Sequence, residues 1–368
     1  MIDIIDVASD EQLHQWLPEW LEAPAIALDT EFVRERTYYP IPGLIQLATE
    51  AGVYLIDPLA IEDLSPLRQL CEAPVVKVMH SASEDLEVFQ RLLGCLPAPL
   101  ADTQLGAALA GHRFGIGYQH LVAAVLGREL DKGETRSNWL RRPLTASQRH
   151  YAAMDVAWLL PVYEQLLAEL ELLGRVDWWW EDNDRQVLAA SRPLALEDSW
   201  RRLRGAGRLR PRELAVLQEV CGWRERVARG SDRPRGHVLP DALCLELARQ
   251  LPTSLAELQA HRELPRRLVK PHGADVLAAI EAGRARPAAS WPQLPRPLTS
   301  AENRHLKQLR SVVGERAGGL ELAPELLARR RDLESLLRRR QLPSSLQGWR
   351  QPVVGEPLLD ALGGLLEN

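Results

Sequence analysis

Ala25-Ile26-Ala27-Leu28-Asp29-Thr30-Glu31 begins as an apolar run and ends in acid. It reads as a strand, and because strand side chains alternate, Asp29 and Glu31 fall on one face, where they can share an ion. Ile45 to Ala48, Val53 to Ile56 and Val75 to Met79 read as further short strands. Helical patterns lie between and after them. Ser81 with Glu84 spells a capping box that opens a helix through Leu92, and Ala146 to Leu173 repeats apolar residues at three and four. Strands first, with helices interleaved later, predict an α/β domain with a mixed sheet, ending near Ser191.

From Leu209 onward strand signals disappear, and the chain reads as short helices broken by Pro and Gly. The stretch from Arg286 to Pro297, with Pro287, Pro292, Pro295 and Pro297, divides this part in two. The expected organisation is an α/β domain over residues 1–191, then two small all-α domains over 209–286 and 297–368.

Charge follows the same division. Residues 1–200 hold 15 Lys and Arg against 31 Asp and Glu, a balance of −16. Residues 201–290 hold 18 against 10, or +8, and residues 291–368 hold 12 against 9, or +3. An acidic front suits a cation site and a basic back suits a polyanion, although solvated helix faces give the same count. No apolar run approaches the length of a membrane span, and Met1 to Glu11 carries four acids where a secretory signal needs a basic stretch, so a soluble, cytoplasmic protein is expected. Cys71, Cys95, Cys221 and Cys244 lie far apart in sequence without metal-ligand spacing and read as buried free thiols.

Several residues have a joint chemical use. Tyr151 and Asp155 are four apart in a helical segment and stack on one face. Asp85 falls in the first turn of the helix near Ser81, where the helix dipole favours an acid in any case. Carboxylates that converge repel one another, whereas Mg²⁺ or Mn²⁺ makes the cluster favourable. Two such ions can clamp a phosphodiester, activating a water on one side and stabilising the leaving 3′ oxygen on the other, with a tyrosine to orient the water.

Leu28-Asp29-Thr30-Glu31-Phe32, His80-Ser81-Ala82-Ser83-Glu84-Asp85 and Tyr151-Ala152-Ala153-Met154-Asp155 resemble the three motifs of the DEDD exonuclease superfamily, in its tyrosine branch. Leu44-Ile45-Gln46-Leu47, Asp102-Thr103-Gln104, Leu130-Asp131-Lys132 and Trp139 to Leu144 narrow the resemblance to the ribonuclease D family. Trp223 to Arg229, with Asp232 to Gly236 and Leu247-Ala248, resembles the helical domain that helicases share with that family, and residues 297–368 look like a diverged copy. The resemblance implies a ribonuclease H-like sheet and a 3′→5′ exoribonuclease that releases 5′-mononucleotides with two Mg²⁺ or Mn²⁺ ions per site. Its implied partner is an RNA with a single-stranded 3′ end, such as a tRNA precursor, and its implied state is a monomer. By the same resemblance Asp29 bridges both ions, Glu31 and Asp155 complete one, Asp85 supports the other, and Tyr151 holds the water. Lys132 would approach the RNA backbone and Phe32 and Gln46 the terminal nucleotides, with core packing as the other reading for the last two. A DNA exonuclease and a non-catalytic RNA-binding module are the rival functions.

Trp178-Trp179-Trp180 can stack bases or seal a domain junction, and the second reading is preferred because the cluster follows a long helix. Arg329-Arg330-Arg331 with Arg338-Arg339-Arg340 suits either RNA or an exposed helix face. Gly115-Ile116-Gly117 lacks the third glycine of a dinucleotide site and reads as a turn.

Overall fold

The computed structural model describes residues 3–130, 137–192, 195–260, 264 and 266–366. Its elements, in chain order, are β1 (Ile4–Val7), α1 (Asp10–Glu22), β2 (Ala25–Val33), β3 (Ile41–Ala48), β4 (Val53–Ile56), α2 (Ser65–Glu72), β5 (Val76–Met79), α3 (Ser83–Leu93), β6 (Leu100–Asp102), α4 (Thr103–Leu109), α5 (Tyr118–Leu126), α6 (Ala146–Ala157), α7 (Leu159–Leu173) and α8 (Val176–Ala190). Helices follow from there: α9 (Pro211–Gly230), α10 (Arg235–Val238), α11 (Asp241–Gln250), α12 (Leu255–Ala260), α13 (Arg266–Ala285), α14 (Ser300–Leu320), α15 (Pro324–Leu327), α16 (Arg330–Arg339) and α17 (Glu356–Leu366).

The six strands form one mixed sheet in the order β1-β4-β3-β2-β5-β6. β1 runs parallel to β4, β2 to β5 and β5 to β6, while β3 and β4 are antiparallel. The alternation along β2 feeds two cores. Ile26 and Leu28 pack with α1, α2 and α3, whereas Ala27 packs with Ala152, Ala153 and Val156 of α6. This places the second face of β2, the one that carries Asp29 and Glu31, towards α6.

The chain divides into two compact units, the first comprising Met1–Val33, Pro42–Ser191 and Leu298–Asn368, the second Arg34–Ile41 and Arg192–Pro297. These limits follow packing rather than the order of the chain, so the segment expected to stand alone over 297–368 lies in the first unit. The reason is shared apolar surface: Leu306, Leu309 and Val313 of α14 join Val156 and Trp179 in one cluster. Trp178 stacks on Trp349 with ring centroids 4.3 Å apart and 7° between planes. Arg350 holds Asp182 through two bonds of 2.6 and 2.8 Å. Gly348 turns the chain there at φ +66°, a conformation that favours glycine, and a Cβ on it would make the Glu181 carboxylate move.

In the second unit α9 is the central helix, packed by α11 and α13. Glu225 on α9 is fully buried yet well partnered. It receives the Tyr38 hydroxyl at 2.5 Å, Arg229 at 2.8 Å and Arg235 at 2.5 Å. These donors hold its carboxyl down at about 2 against the pull of burial, with Arg235 the strongest of them.

Two local expectations are corrected. Ser81 and Glu84 do not form a capping box: α3 begins at Ser83 after Ala82, and Ser81 sits at φ +60°. Its backbone N–H and that of Ala82 instead donate to the carboxylate of Asp102, at 2.9 and 3.0 Å, which ties the turn before α3 to the end of β6. The apolar repeat from Ala146 to Leu173 is two helices, because Trp158 leaves the helical region at φ −112°, ψ 3°.

Candidate active site

Four carboxyl groups and a phenol come within electrostatic range of one another where the acid-ending strand passes α3 and α6. β2 presents Asp29 and Glu31. The Thr30 hydroxyl between them donates to Asp85 Oδ1 at 2.5 Å, which ties the first turn of α3 to the strand. On α6, the Tyr151 hydroxyl hydrogen-bonds the Asp155 carboxyl one turn on.

α6 is fixed at both ends. Thr145 and Gln148 form a capping box at its start. Just before it, Arg142 takes both carboxylate oxygens of Asp57, at 2.5 and 2.6 Å, and also donates to the carbonyls of Gly43 and Trp139 at 2.6 and 2.8 Å. Trp139 thereby lies against β3, where a Cβ on Gly43 would approach its carbonyl oxygen to 2.7 Å, and its ring sits 6.1 Å from that of Tyr151. At the other end the Tyr118 hydroxyl donates to the Met154 carbonyl at 3.1 Å and accepts from the Trp158 N–H at 3.2 Å. The backbone on either side of Asp155 is therefore pinned by Tyr118 of α5.

The electrostatics show that these acids are close and that no cationic side chain among the described residues offsets them. Burial, then the charges of Asp85, Asp155 and Glu31, raise the Asp29 carboxyl well above its ordinary range. Burial and the charges of Asp155 and Asp85 push Glu31 up to about 8. Burial pushes Asp155 up to about 7, opposed by the Tyr151 hydroxyl, and Asp85 to about 6, opposed by the Thr30 hydroxyl and by the backbone N–H groups of Asp85 and Thr30. The Tyr151 phenol is raised too, by burial and then by Asp155 and Glu31. Ionised together, such groups are costly unless a cation joins them. The donor set is all oxygen, which fits hard divalent ions. Among the described residues no three Asp, Glu, His or Cys side chains are drawn together as a ready-made metal cage, so the acids stand in electrostatic range without converging on one point.

The expected substrate contacts fare differently. Phe32 is half-buried on β2, and strand alternation turns it from the face of Asp29 and Glu31. Gln46 is fully buried and neither of its amide atoms has a partner, so the structure puts it in the core. Lys132 lies outside the described residues. Two positioning residues escaped the sequence reading, Thr30 and Tyr118. The first sits between the two acids of Asp-Thr-Glu and could have been suspected there; the second is 33 positions from Tyr151 and carries no local signal.

Comparison with known proteins agrees with this arrangement. Residues 4–171 match the family model of a 3′-5′ exonuclease and residues 213–280 that of the HRDC domain. Ribonuclease D of Pseudomonas paraeruginosa is 43% identical over 97% of this chain and 96% of its own. The chain belongs to the ribonuclease D family. Ribonuclease D of Escherichia coli is 39% identical over 94% of this chain and 93% of its own. The crystal structure of E. coli RNase D, described as an exoribonuclease involved in structured RNA processing, superposes with a TM-score of 0.91 over 99% of both chains at 36% identity. As a member of this family the protein is a hydrolase of the 3′→5′ exoribonuclease type, with RNA as its substrate and metal-dependent chemistry.

Proposed function

We propose that this ribonuclease D shortens RNA from the 3′ end with Asp29, Glu31, Asp85 and Asp155 holding two Mg²⁺ or Mn²⁺ ions, releasing one 5′-mononucleotide at a time. The observation that carries the reading is that four carboxyls from β2, α3 and α6 lie within electrostatic range of one another, with no cationic side chain offsetting them among the described residues. Bound there, the ions would supply an activated water and charge for the leaving 3′ oxygen. The protein's own residues do the rest. Thr30 fixes the Asp85 carboxyl, Arg142 and Tyr118 fix α6, and Tyr151 accepts or donates at the attacking water while it hydrogen-bonds Asp155. The test is incubation of the protein with a 3′-tailed hairpin RNA. Shortening from the 3′ end that needs the divalent ion is expected, whereas internal cuts or activity in chelator would overturn the reading.

For the substrate, we propose tRNA precursors and similar structured RNAs, gripped by phosphate contacts from the basic helical part. The three domains of that reading are the exonuclease over 1–191 and helical domains over 209–286 and 297–368. Arg204, Arg208 and Arg212 are exposed in the segment that leads into α9 and at its start. Replacing all three by Gln should flatten the salt dependence of RNA binding by about 0.7 to 0.9 in log–log slope for each phosphate no longer held. An unchanged slope over about 50 to 200 mM salt would remove this surface from the RNA path. Among the described residues no helix is long and apolar enough to cross a membrane. The proposed enzyme is a monomer of the cytoplasm, and the free thiols of all four cysteines suit such a reducing compartment.

A further inference from the structure

The loop between β2 and β3 belongs, by its packing, to the helical unit. The chain leaves the sheet after Val33, passes into the second unit over Arg34–Ile41 and returns to the first at Pro42. Tyr38 is 8% exposed and lies in the same apolar cluster as Trp200, Leu217 and Trp223. A side chain seven positions past Glu31 is therefore part of the core around α9.

Polar bonds fix the loop there. The Tyr38 phenol donates to Glu225 at 2.5 Å and accepts from Arg235 at 2.7 Å and Arg229 at 3.2 Å. The backbone N–H groups of Tyr38 and Tyr39 both donate to Oδ1 of Asp232 at 3.0 Å. Asp232, two residues past α9, stands at φ +47°, in the left-handed region that an aspartate adopts more readily than most residues. Within the loop, Arg34 donates to the Tyr38 carbonyl at 3.0 and 2.9 Å, and the Thr37 hydroxyl donates to the Tyr39 carbonyl at 2.7 Å. Glu225, Arg229, Asp232 and Arg235 come from the two stretches, Trp223 to Arg229 and Asp232 to Gly236, that no catalytic step uses.

The strand that runs into this loop has a weakly supported end. β5 pairs with β2 at Ala25, Ile26 and Ala27 and stops at Met79, so the part of β2 that bears Asp29 and Glu31 runs on past that neighbour. Strand ends with fewer partners open more easily unless the chain that follows them is held.

We infer that Tyr38 and Asp232 are positioning residues for the metal-binding end of β2: the helical unit holds the loop, and the loop keeps Glu31 in place for the divalent ion. Both act through the chain rather than on the reacting atoms. The inference rests on the reading of Asp29 and Glu31 as ion ligands, and it gives the first helical domain a part in catalysis separate from gripping RNA.

The experiment compares the full chain with Asp232→Ala and Tyr38→Phe. Asp232→Ala removes the acceptor of both loop N–H groups and leaves the Glu225 cluster intact, whereas Tyr38→Phe removes only a hydroxyl. Hydrogen exchange is followed first, by mass spectrometry in chelator. The peptide over residues 27–37 should exchange about tenfold faster in each variant, the effect of losing a bond to a charged acceptor, with β1 and α11 unchanged. The Mn²⁺ concentration for half-maximal shortening of a 3′-tailed hairpin RNA should then rise about tenfold, while RNA affinity in chelator holds. Asp232→Asn keeps an oxygen at Oδ1 and should behave as wild type. Unchanged exchange over 27–37, or faster exchange confined to α9 and α11, would reduce the loop to a brace of the helical unit and overturn the inference, as would an unshifted Mn²⁺ requirement. If Asp232→Ala exchanges faster everywhere it has lost the fold, and Tyr38→Phe decides. Cleavage by wild type in chelator would sink the metal reading itself, an outcome that wild type alone reveals.

Discussion

Two clusters of the molecule treat their carboxylates oppositely. Around Asp29 four acids face one another with no cationic side chain to offset them among the described residues, and every one is pushed above its ordinary range, Glu31 to about 8 and Asp155 to about 7. Around Glu225 one acid receives two arginines and a tyrosine and is held down at about 2. Both clusters came from the same kind of sequence, charged residues inside apolar periodicity. The difference is whether the chain supplies the countercharge itself. Where it does, the cluster is complete and structural; where it does not, the fold keeps a repulsive arrangement whose stabilisation comes from outside, which is the logic of a cation-dependent site.

The sharpest way to break the contrast is Asp29→Asn. Turnover should be abolished, because the carboxyl that repels three others is also the one expected to serve both ions. More than about a tenth of the wild-type rate, a loss under roughly 1.4 kcal/mol, would show that Asp29 is not that group. In chelator the same variant should melt no lower than wild type, since a repulsive buried charge has been removed. Divalent ion should raise the melting temperature of wild type more than that of the variant.

Glu225→Gln should behave in the reverse sense. Removing the acceptor of a complete buried cluster leaves Arg229 and Arg235 short of a partner, and a cost of about 3 to 5 kcal/mol is expected in denaturant unfolding. pH gives a second reading of the same group. Because its folded value lies below the ordinary carboxylate value of 4.5, its contribution is present above that point and is lost as pH falls from there towards about 2. If acid titration of wild type and Glu225→Gln gave parallel stability curves across that window, the cluster would not be the stabilising device described.

Tyr151→Phe tests whether the phenol acts in chemistry or only in packing. The ring contact with Trp139 is kept and only the hydroxyl is removed, so the single-turnover rate should fall about a hundredfold, roughly 2.7 kcal/mol, with RNA affinity unchanged. A normal rate would leave Tyr151 a packing residue. The smallest effect is expected at Gln46, whose amide is buried without partners. Gln46→Met keeps the volume and removes the unpaired polar group, which should stabilise by about 1 kcal/mol. Equal turnover is the expected accompaniment. A tenfold fall in rate at higher stability would return Gln46 to the substrate site.

Much of the site was legible in the sequence. Asp29 and Glu31 share a face because strands alternate, and Tyr151 and Asp155 because helices turn every 3.6 residues; both rules are local, so spacing alone places the pairs. β4 was readable over Val53–Ile56 for the same reason. β1 and β6 were not, since Ile4–Val7 and Leu100–Asp102 are too short to show a period and become strands only by pairing with β4 and β5.

By itself the sequence determined which residues form each half of the site, which stretches are apolar, and where the charge changes sign along the chain. Tertiary structure alone decided that Asp102 holds the turn before α3, that Thr30 holds Asp85, that Tyr118 holds α6, and that Trp349 seats on Trp178 and brings residues 298–368 into the first unit. The physical reason is separation along the chain. A contact three or four residues long is written in local geometry, but one that joins residues 55 or 167 apart exists only after the sheet and helices have packed, because only burial then selects which polar groups must find each other.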